Sequence, residues 1–260
     1  MEIKQMENDL YSKLLVLKND FGCAGIKSEF ENEASDFADL IFLRYITAKA
    51  GLKLFIKIGG VEAFTDLKMC IDLIADGVIV PMVESEFALI KSQNMIQDIF
   101  GKVPSDSGFE VIINIETRSA VANLDEILNA MESYITGITI GRSDLSYSYD
   151  IKGQQDSEFI NHVIENILEK TLSYGGLRIT VGGGISRKTF ENEPFIQYIV
   201  PHLTHIETRN VILDAASIQN KKALEQALDF EKSYLHYKLG KKRMFTKFDE
   251  SRFSTLNLRG

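Results

Sequence analysis

Cysteine and histidine are scarce in this chain, with two and four residues among 260. The two cysteines, Cys23 and Cys70, supply neither a disulfide framework nor the paired thiolates of a zinc motif. A reduced, cytoplasmic setting is the expectation. Long hydrophobic runs are also missing: none approaches the roughly 18–20 residues that a membrane span requires. Excess positive charge is absent, since 29 Lys and Arg face 37 Asp and Glu for a net charge of −8. That balance argues against nucleic acid as a partner, because a phosphate backbone calls for clustered Lys and Arg. The opening residues, Met1 to Asp9, are polar and acidic, unlike a secretory signal or a transit peptide. No Gly-x-Gly-x-x-Gly follows the first apolar run, which leaves a dinucleotide-binding fold without support.

What is present is an apolar fraction of 45%, ample for a large core, in a length that suits one α/β barrel or two small domains. Apolar positions Ile3, Met6, Leu10, Leu14 and Leu17 have helical spacing and predict a leading amphipathic helix. Strands are predicted at Cys23–Glu29, Leu52–Ile58, Gly77–Met82, around Val111–Ile113, at Gly137–Gly141, at Arg178–Val181 and near Thr204–Arg209. Helical patterns separate them, ending with one at Ile218–Leu239. Such alternation implies a parallel sheet with right-handed crossovers. The expected fold is therefore a single (β/α)₈ barrel over residues 1–230, with the helix end and a basic, polar tail over 231–260. Only seven strands can be read, and the eighth is expected as a short piece near the N-terminus. Lys102–Gly108 reads as a surface loop, and Tyr147–Asp156 as a loop over the barrel rim.

Two strand exits carry carboxylates. Glu116 appears as the run Val111-Ile112-Ile113 ends, and Asp144 follows the next strand, Gly137–Gly141. The C-terminal ends of parallel strands are where such folds keep their chemistry. Two adjacent carboxylates without a histidine cluster suit a hard divalent cation, Mg²⁺ or Mn²⁺. The alternative is a pair of rim carboxylates neutralised by Arg118 or Arg142. Gly182-Gly183-Gly184 would let backbone amides approach an anion, or form a simple tight turn. His205 is expected to be packed rather than a ligand. An Ile-Glu-Thr-Arg sequence occurs twice, at Ile115–Arg118 and Ile206–Arg209, and suggests salt bridges around the rim.

Three motifs in order, Gly77-Val-Ile-Val-Pro-Met-Val-Glu-Ser85, Asn114-Ile-Glu-Thr-Arg118 with Asn123-Leu-Asp-Glu-Ile127, and Ile140-Gly-Arg-Ser-Asp-Leu-Ser146, resemble the HpcH/HpaI aldolase and citrate lyase β-subunit family. The resemblance spans roughly residues 23 to 215. It implies a (β/α)₈ barrel and a homo-oligomer. It also implies a divalent metal on Glu116 and Asp144 that holds a 2-oxo acid such as pyruvate or oxaloacetate. Asn114 falls on a polar family position two residues before the metal Glu, and Asp72 on an acidic position in the helix before the Pro-Met strand.

The chain departs from that pattern at two places. The carboxylate-clamping arginine of the family corresponds to Lys57, a cation without the bidentate fork. The catalytic histidine after the first strand is absent, for that exit reads Ser28-Glu-Phe-Glu-Asn-Glu33. Glu29, Glu31 and Lys57 become the candidate catalytic groups, and Lys57, Asn114 and Arg142 the candidate substrate-binding groups. A Schiff-base role for Lys27 or Lys57 is the minor alternative. The expected activity is a divalent-metal-dependent carbon–carbon lyase or aldolase acting on a small 2-oxo acid or its condensation product. The rival is a diverged barrel that keeps a metal or ligand pocket without aldolase chemistry. A CoA-thioester lyase is weaker still, for lack of a basic nucleotide-binding patch.

Overall fold

The computed structural model describes residues 2–31, 33, 35–101 and 108–257. Helix α1 (Glu2–Phe21) leads into β1 (Cys23–Glu29), α2 (Phe37–Ala50), β2 (Lys53–Lys57), α3 (Phe64–Asp72), β3 (Gly77–Val80) and α4 (Glu86–Phe100). Then come β4 (Glu110–Ile115), α5 (Arg118–Ala122), α6 (Leu124–Asn129), β5 (Ile135–Gly141), α7 (Arg142–Ser148) and α8 (Glu158–Thr171). The chain finishes with β6 (Arg178–Gly182), β7 (His205–Glu207), β8 (Val211–Asp214) and α9 (Lys221–Asn257). The eight strands close into a barrel in chain order. Residues 102–107 of the expected surface loop lie outside the described residues.

Strands β1 to β7 run parallel, and β8 runs antiparallel to both β7 and β1. The eighth strand is thus at the end of the barrel sequence, not near the N-terminus. Only Thr208-Arg209-Asn210 separates it from β7, so it closes the barrel as a hairpin, with the Thr208 N–H donating to the Val211 carbonyl at 2.9 Å. A three-residue connection cannot hold a crossover helix, which is why it escapes a strand–helix count. The C-terminal segment also differs from expectation, because α9 continues through residue 257 instead of giving way to an aperiodic tail. Among the described residues no helix is long and apolar enough to cross a membrane.

The helix ends follow local chemistry. Asp36 caps α2 by accepting the Asp39 N–H, and Gly51 ends that helix in the left-handed region at φ 66°. Ser85, Thr117 and Ser157 cap α4, α5 and α8 in the same way. The strands are near-continuous apolar runs because helices cover one face and the barrel interior the other. Phe55, Ile79, Ile112 and Ile212 fill the barrel interior. Gly77 makes room for this plug: a Cβ there would sit 2.8 Å from the Phe55 ring. Leu10, Leu14 and Leu17 of α1 are fully buried in the outer core, as their helical spacing predicts. Helix α9 packs along α1 and reaches α2, where Phe42 stacks on Tyr237 at 4.2 Å.

Candidate active site

The plug closes the middle of the barrel, so polar residues one step further along each strand meet at the C-terminal mouth. There a cavity of about 680 Å³ is lined by Lys27 and Glu29 of β1, Lys57 of β2, Asn114 of β4 and Glu116 just past its end, and Thr139 and Gly141 of β5. Ser143, Asp144, Gly183, Gly184, Ile185, Glu207, Thr208 and Arg209 complete the wall with Leu228 and Glu231 of α9. Among the described residues, five carboxylates and three cations line it, leaving an excess of two negative charges.

Glu116 is buried and held from three sides. Its Oε1 accepts the Met82 N–H at 3.1 Å, its Oε2 accepts Asn114 Nδ2 at 3.1 Å, and Lys57 Nζ lies 3.6 Å from Oε2. Met82 adopts a left-handed backbone with φ 52°, an uncommon conformation for a side chain of its size, and that turn aims its N–H at the carboxylate. Gly141 supplies the space on the next strand, because a Cβ at that position would lie 2.7 Å from Glu116 Oε2. Asp144 is partly exposed and makes no side-chain hydrogen bond or ion pair among the described residues. Two further polar atoms in the wall, Asn114 Oδ1 and Thr139 Oγ1, are buried without a hydrogen-bond partner. Buried polar atoms are ordinarily satisfied, so orphans facing a cavity point to a bound molecule.

The donor set fits a hard cation. Glu116 and Asp144 offer carboxylate oxygens beside an open cavity with surplus negative charge. Among the described residues no cluster of three or more His, Cys, Asp or Glu forms a closed cage. An Mg²⁺-type ion needs none, since it commonly takes one or two carboxylates and fills its remaining positions with water and substrate.

The other expected site residues divide sharply. Lys57, Asn114 and Glu29 reach the cavity. Glu29 is buried and ion-paired to Arg209, across the β7–β8 hairpin. Glu31 does not reach it: that side chain is exposed in a separate shallow depression with Gly59 and Asp66. Arg142 is the clearest correction. Its guanidinium is completely buried and points away from the cavity into the body of the protein. Nη1 donates to Asp156 Oδ1 at 2.8 Å, Nε to the Gly182 carbonyl at 3.3 Å, and Nη2 to the Gly183 carbonyl at 3.1 Å. Burial lowers its pKa against the opposing pull of Asp156. Arg142 clamps the glycine loop to Asp156, just ahead of α8, and does not line the cavity.

Glu84 accepts the Thr117 hydroxyl at 2.7 Å and so braces the β4 exit from outside. Asp72 is exposed at the end of α3. His205 sits below the plug near Arg178 and Lys53, and burial followed by those cations lowers its pKa to about 4. Contributors to which sequence reading gave no site role include Thr139, Glu207, Leu228 and Glu231. Glu207 was legible only as half of a repeated motif. The α9 residues had no local signal, because their role comes from where the helix crosses the mouth.

A family model, HpcH/HpaI aldolase/citrate lyase, matches residues 35–176. The chain belongs to the HpcH/HpaI aldolase/citrate lyase family. Membership supports an aldolase- or lyase-type enzyme. Solved structures agree on the fold. Citrate synthase SbnG is 17% identical with a TM-score of 0.57, over 86% of this chain and 90% of that one. An HpcH/HpaI aldolase from Desulfitobacterium hafniense DCB-2 is 16% identical with a TM-score of 0.58, over 84% and 86% of the two chains. An aldolase/citrate lyase family protein from Burkholderia cenocepacia J2315 is 15% identical with a TM-score of 0.60, over 85% and 90%. A comparison with curated proteins finds no match. At these identities the structural neighbours speak for the HpcH/HpaI barrel and not for a shared substrate.

Proposed function

We propose that this protein is a divalent-metal-dependent carbon–carbon lyase or aldolase acting on a small 2-oxo acid, of the pyruvate or oxaloacetate type, or on its condensation product. The observation that carries the reading is Asp144, a carboxylate with no side-chain partner among the described residues, in the same surplus-negative cavity as Glu116. In this reading Glu116 and Asp144 hold Mg²⁺ or Mn²⁺. When bound, such an ion supplies Lewis-acid polarisation of the 2-oxo group. Lys57 takes the substrate carboxylate as a point charge, and Asn114 Oδ1 and Thr139 Oγ1 satisfy their open hydrogen bonds on substrate or water. The Met82 and Asn114 contacts keep Glu116 fixed, so little reorganisation accompanies reaction.

The test is turnover of a panel of 4-hydroxy-2-oxo acids and of citrate-like condensation products with and without chelator. Activity that disappears with chelator and in Glu116→Gln and Asp144→Asn protein supports the reading. Activity that survives all three treatments overturns the metal role. One observation favours a second reading, a diverged barrel that binds a ligand without cleaving it. The Lys57 ammonium already compensates Glu116, and the family histidine has no counterpart at the β1 exit. Metal-dependent binding of 2-oxo acids with no turnover of any member of the panel would decide for that alternative.

A further inference from the structure

The second Ile-Glu-Thr-Arg sequence places its glutamate in the same cavity as the first. Glu116 stands just past the end of β4 and Glu207 at the end of β7, and each lines the mouth. Each faces a glycine on a neighbouring strand. A Cβ at Gly141 would meet Glu116 Oε2 at 2.7 Å, and one at Gly182 would meet Glu207 Cγ at 2.6 Å. Each also has a lysine partner from the β1–β2 side: Lys57 for Glu116 and Lys27 for Glu207. The mouth therefore holds two glycine-seated Glu–Lys pairs, only one of which the metal reading uses.

The second pair is not explained by stability. Both side chains are largely buried, at 12% and 5% exposure. Burying two charges costs desolvation that apolar residues of similar volume would avoid. Lys27 binds Glu207 through Oε1, and Oε2 makes no hydrogen bond among the described residues. The other candidate carboxylates are less available. Glu31 lies outside the cavity, and Glu231 is fixed through Oε1 by the Thr208 hydroxyl at 2.6 Å and the Asn210 N–H at 2.8 Å. Glu29 pairs through Oε1 with Arg209 of the hairpin, and neither it nor Glu231 is among the nearest neighbours of a glycine Cβ position, as Glu207 is.

We propose that Glu207, held by Lys27, is the proton-transfer group of the reaction, in the role for which the chain has no histidine at the β1 exit. The inference rests on the 2-oxo-acid reading above. In cleavage of a 4-hydroxy-2-oxo acid, Glu207 takes the proton of the 4-hydroxyl. The O–H electron pair forms the new carbonyl, the C3–C4 bond breaks, and its electron pair passes into the enolate of the 2-oxo acid. The Glu207 carboxyl returns the proton to C3, so an aldehyde and a 2-oxo acid leave and the enzyme is unchanged. Lys27 stays an ammonium throughout and balances the carboxylate charge.

The last step run backwards exchanges the methyl protons of pyruvate, which gives a test without an aldehyde. Exchange into D₂O is followed by proton NMR with Mg²⁺ and pyruvate, and binding of both is measured by calorimetry. Glu207→Gln protein should bind Mg²⁺ and pyruvate within about threefold of wild type and exchange on the order of 100-fold more slowly or worse, the scale of a lost general base. Removing the acid alone leaves Lys27 unpaired, so the double variant Lys27→Met/Glu207→Gln provides a second protein without a stranded charge, with the same loss expected. Exchange within about tenfold of wild type in either folded variant overturns the assignment and leaves the 2-oxo-acid reading standing. Wild-type protein that binds pyruvate with Mg²⁺ but exchanges no proton also overturns the assignment alone. Wild-type protein that binds neither overturns both.

Discussion

Arg142 offers a direct contrast between a substrate-binding and a structural arginine at a barrel mouth. Replacing it with methionine keeps most of the volume and removes the whole guanidinium. The change strands Asp156, which retains only the Thr189 hydroxyl at 2.8 Å, and it takes donors from the Gly182 and Gly183 carbonyls. Breaking a buried pair by deleting one partner costs about 3–5 kcal/mol. For a chain of this size each kcal/mol lowers Tm by roughly 2–4 °C, so a fall on the order of 10 °C is expected. The double variant Arg142→Met/Asp156→Asn should recover part of that loss, since it no longer buries an unpaired carboxylate. Thermal unfolding followed by circular dichroism measures both. A Tm within about 1 °C of wild type, together with weakened binding of a 2-oxo acid, would refute the clamp and restore Arg142 as a substrate group.

Two further predictions concern charge. His205 has a folded pKa depressed to about 4, so the unfolded chain binds more protons than the folded one between that value and its ordinary pKa near 6.5. Stability should therefore fall as pH drops from 7 to 4, by about 1–2 kcal/mol after allowance for partial solvent screening, and the His205→Gln protein should lose that component in urea titrations at pH 7 and 5. Lys57→Met removes a cation 3.6 Å from Glu116. Mg²⁺ affinity should rise by about 10-fold while pyruvate affinity falls, opposite signs that calorimetry can separate. A parallel loss of both would mean that Lys57 holds Glu116 in place rather than competing with the metal.

The barrel was legible because its strands are apolar runs punctuated by glycine and its helices carry regular apolar stripes. The eighth strand was not, since a three-residue hairpin breaks the strand–helix rhythm, and Val211-Ile212-Leu213 reads as a continuation of β7. The length of α9 was hidden for a different reason: beyond Lys241 every side chain whose burial is described is exposed, and Lys242, Arg243 and Lys247 make the segment read as a solvated tail. Within the site, Glu116, Asp144, Asn114 and Lys57 all reach one cavity, as their positions at strand ends implied. Position alone misled at Arg142. It directly follows the strand end, but its side chain turns away from the cavity into the protein body, to the carbonyls of the glycine loop and to Asp156. The charge partners of Lys27, Glu29 and Glu116 lie up to 180 residues away in sequence, and barrel closure alone brings them together.

The proposed chemistry depends most on a metal held by Glu116 and Asp144. Calorimetric titration of metal-stripped wild-type protein with Mn²⁺, and then with pyruvate, beside the Asp144→Asn variant tests it most directly. One metal per chain, pyruvate binding only after metal, and loss of both in the variant with Tm little changed are the expected results. Equal Mn²⁺ affinity in the variant, or pyruvate binding to the metal-free protein, would contradict that chemistry.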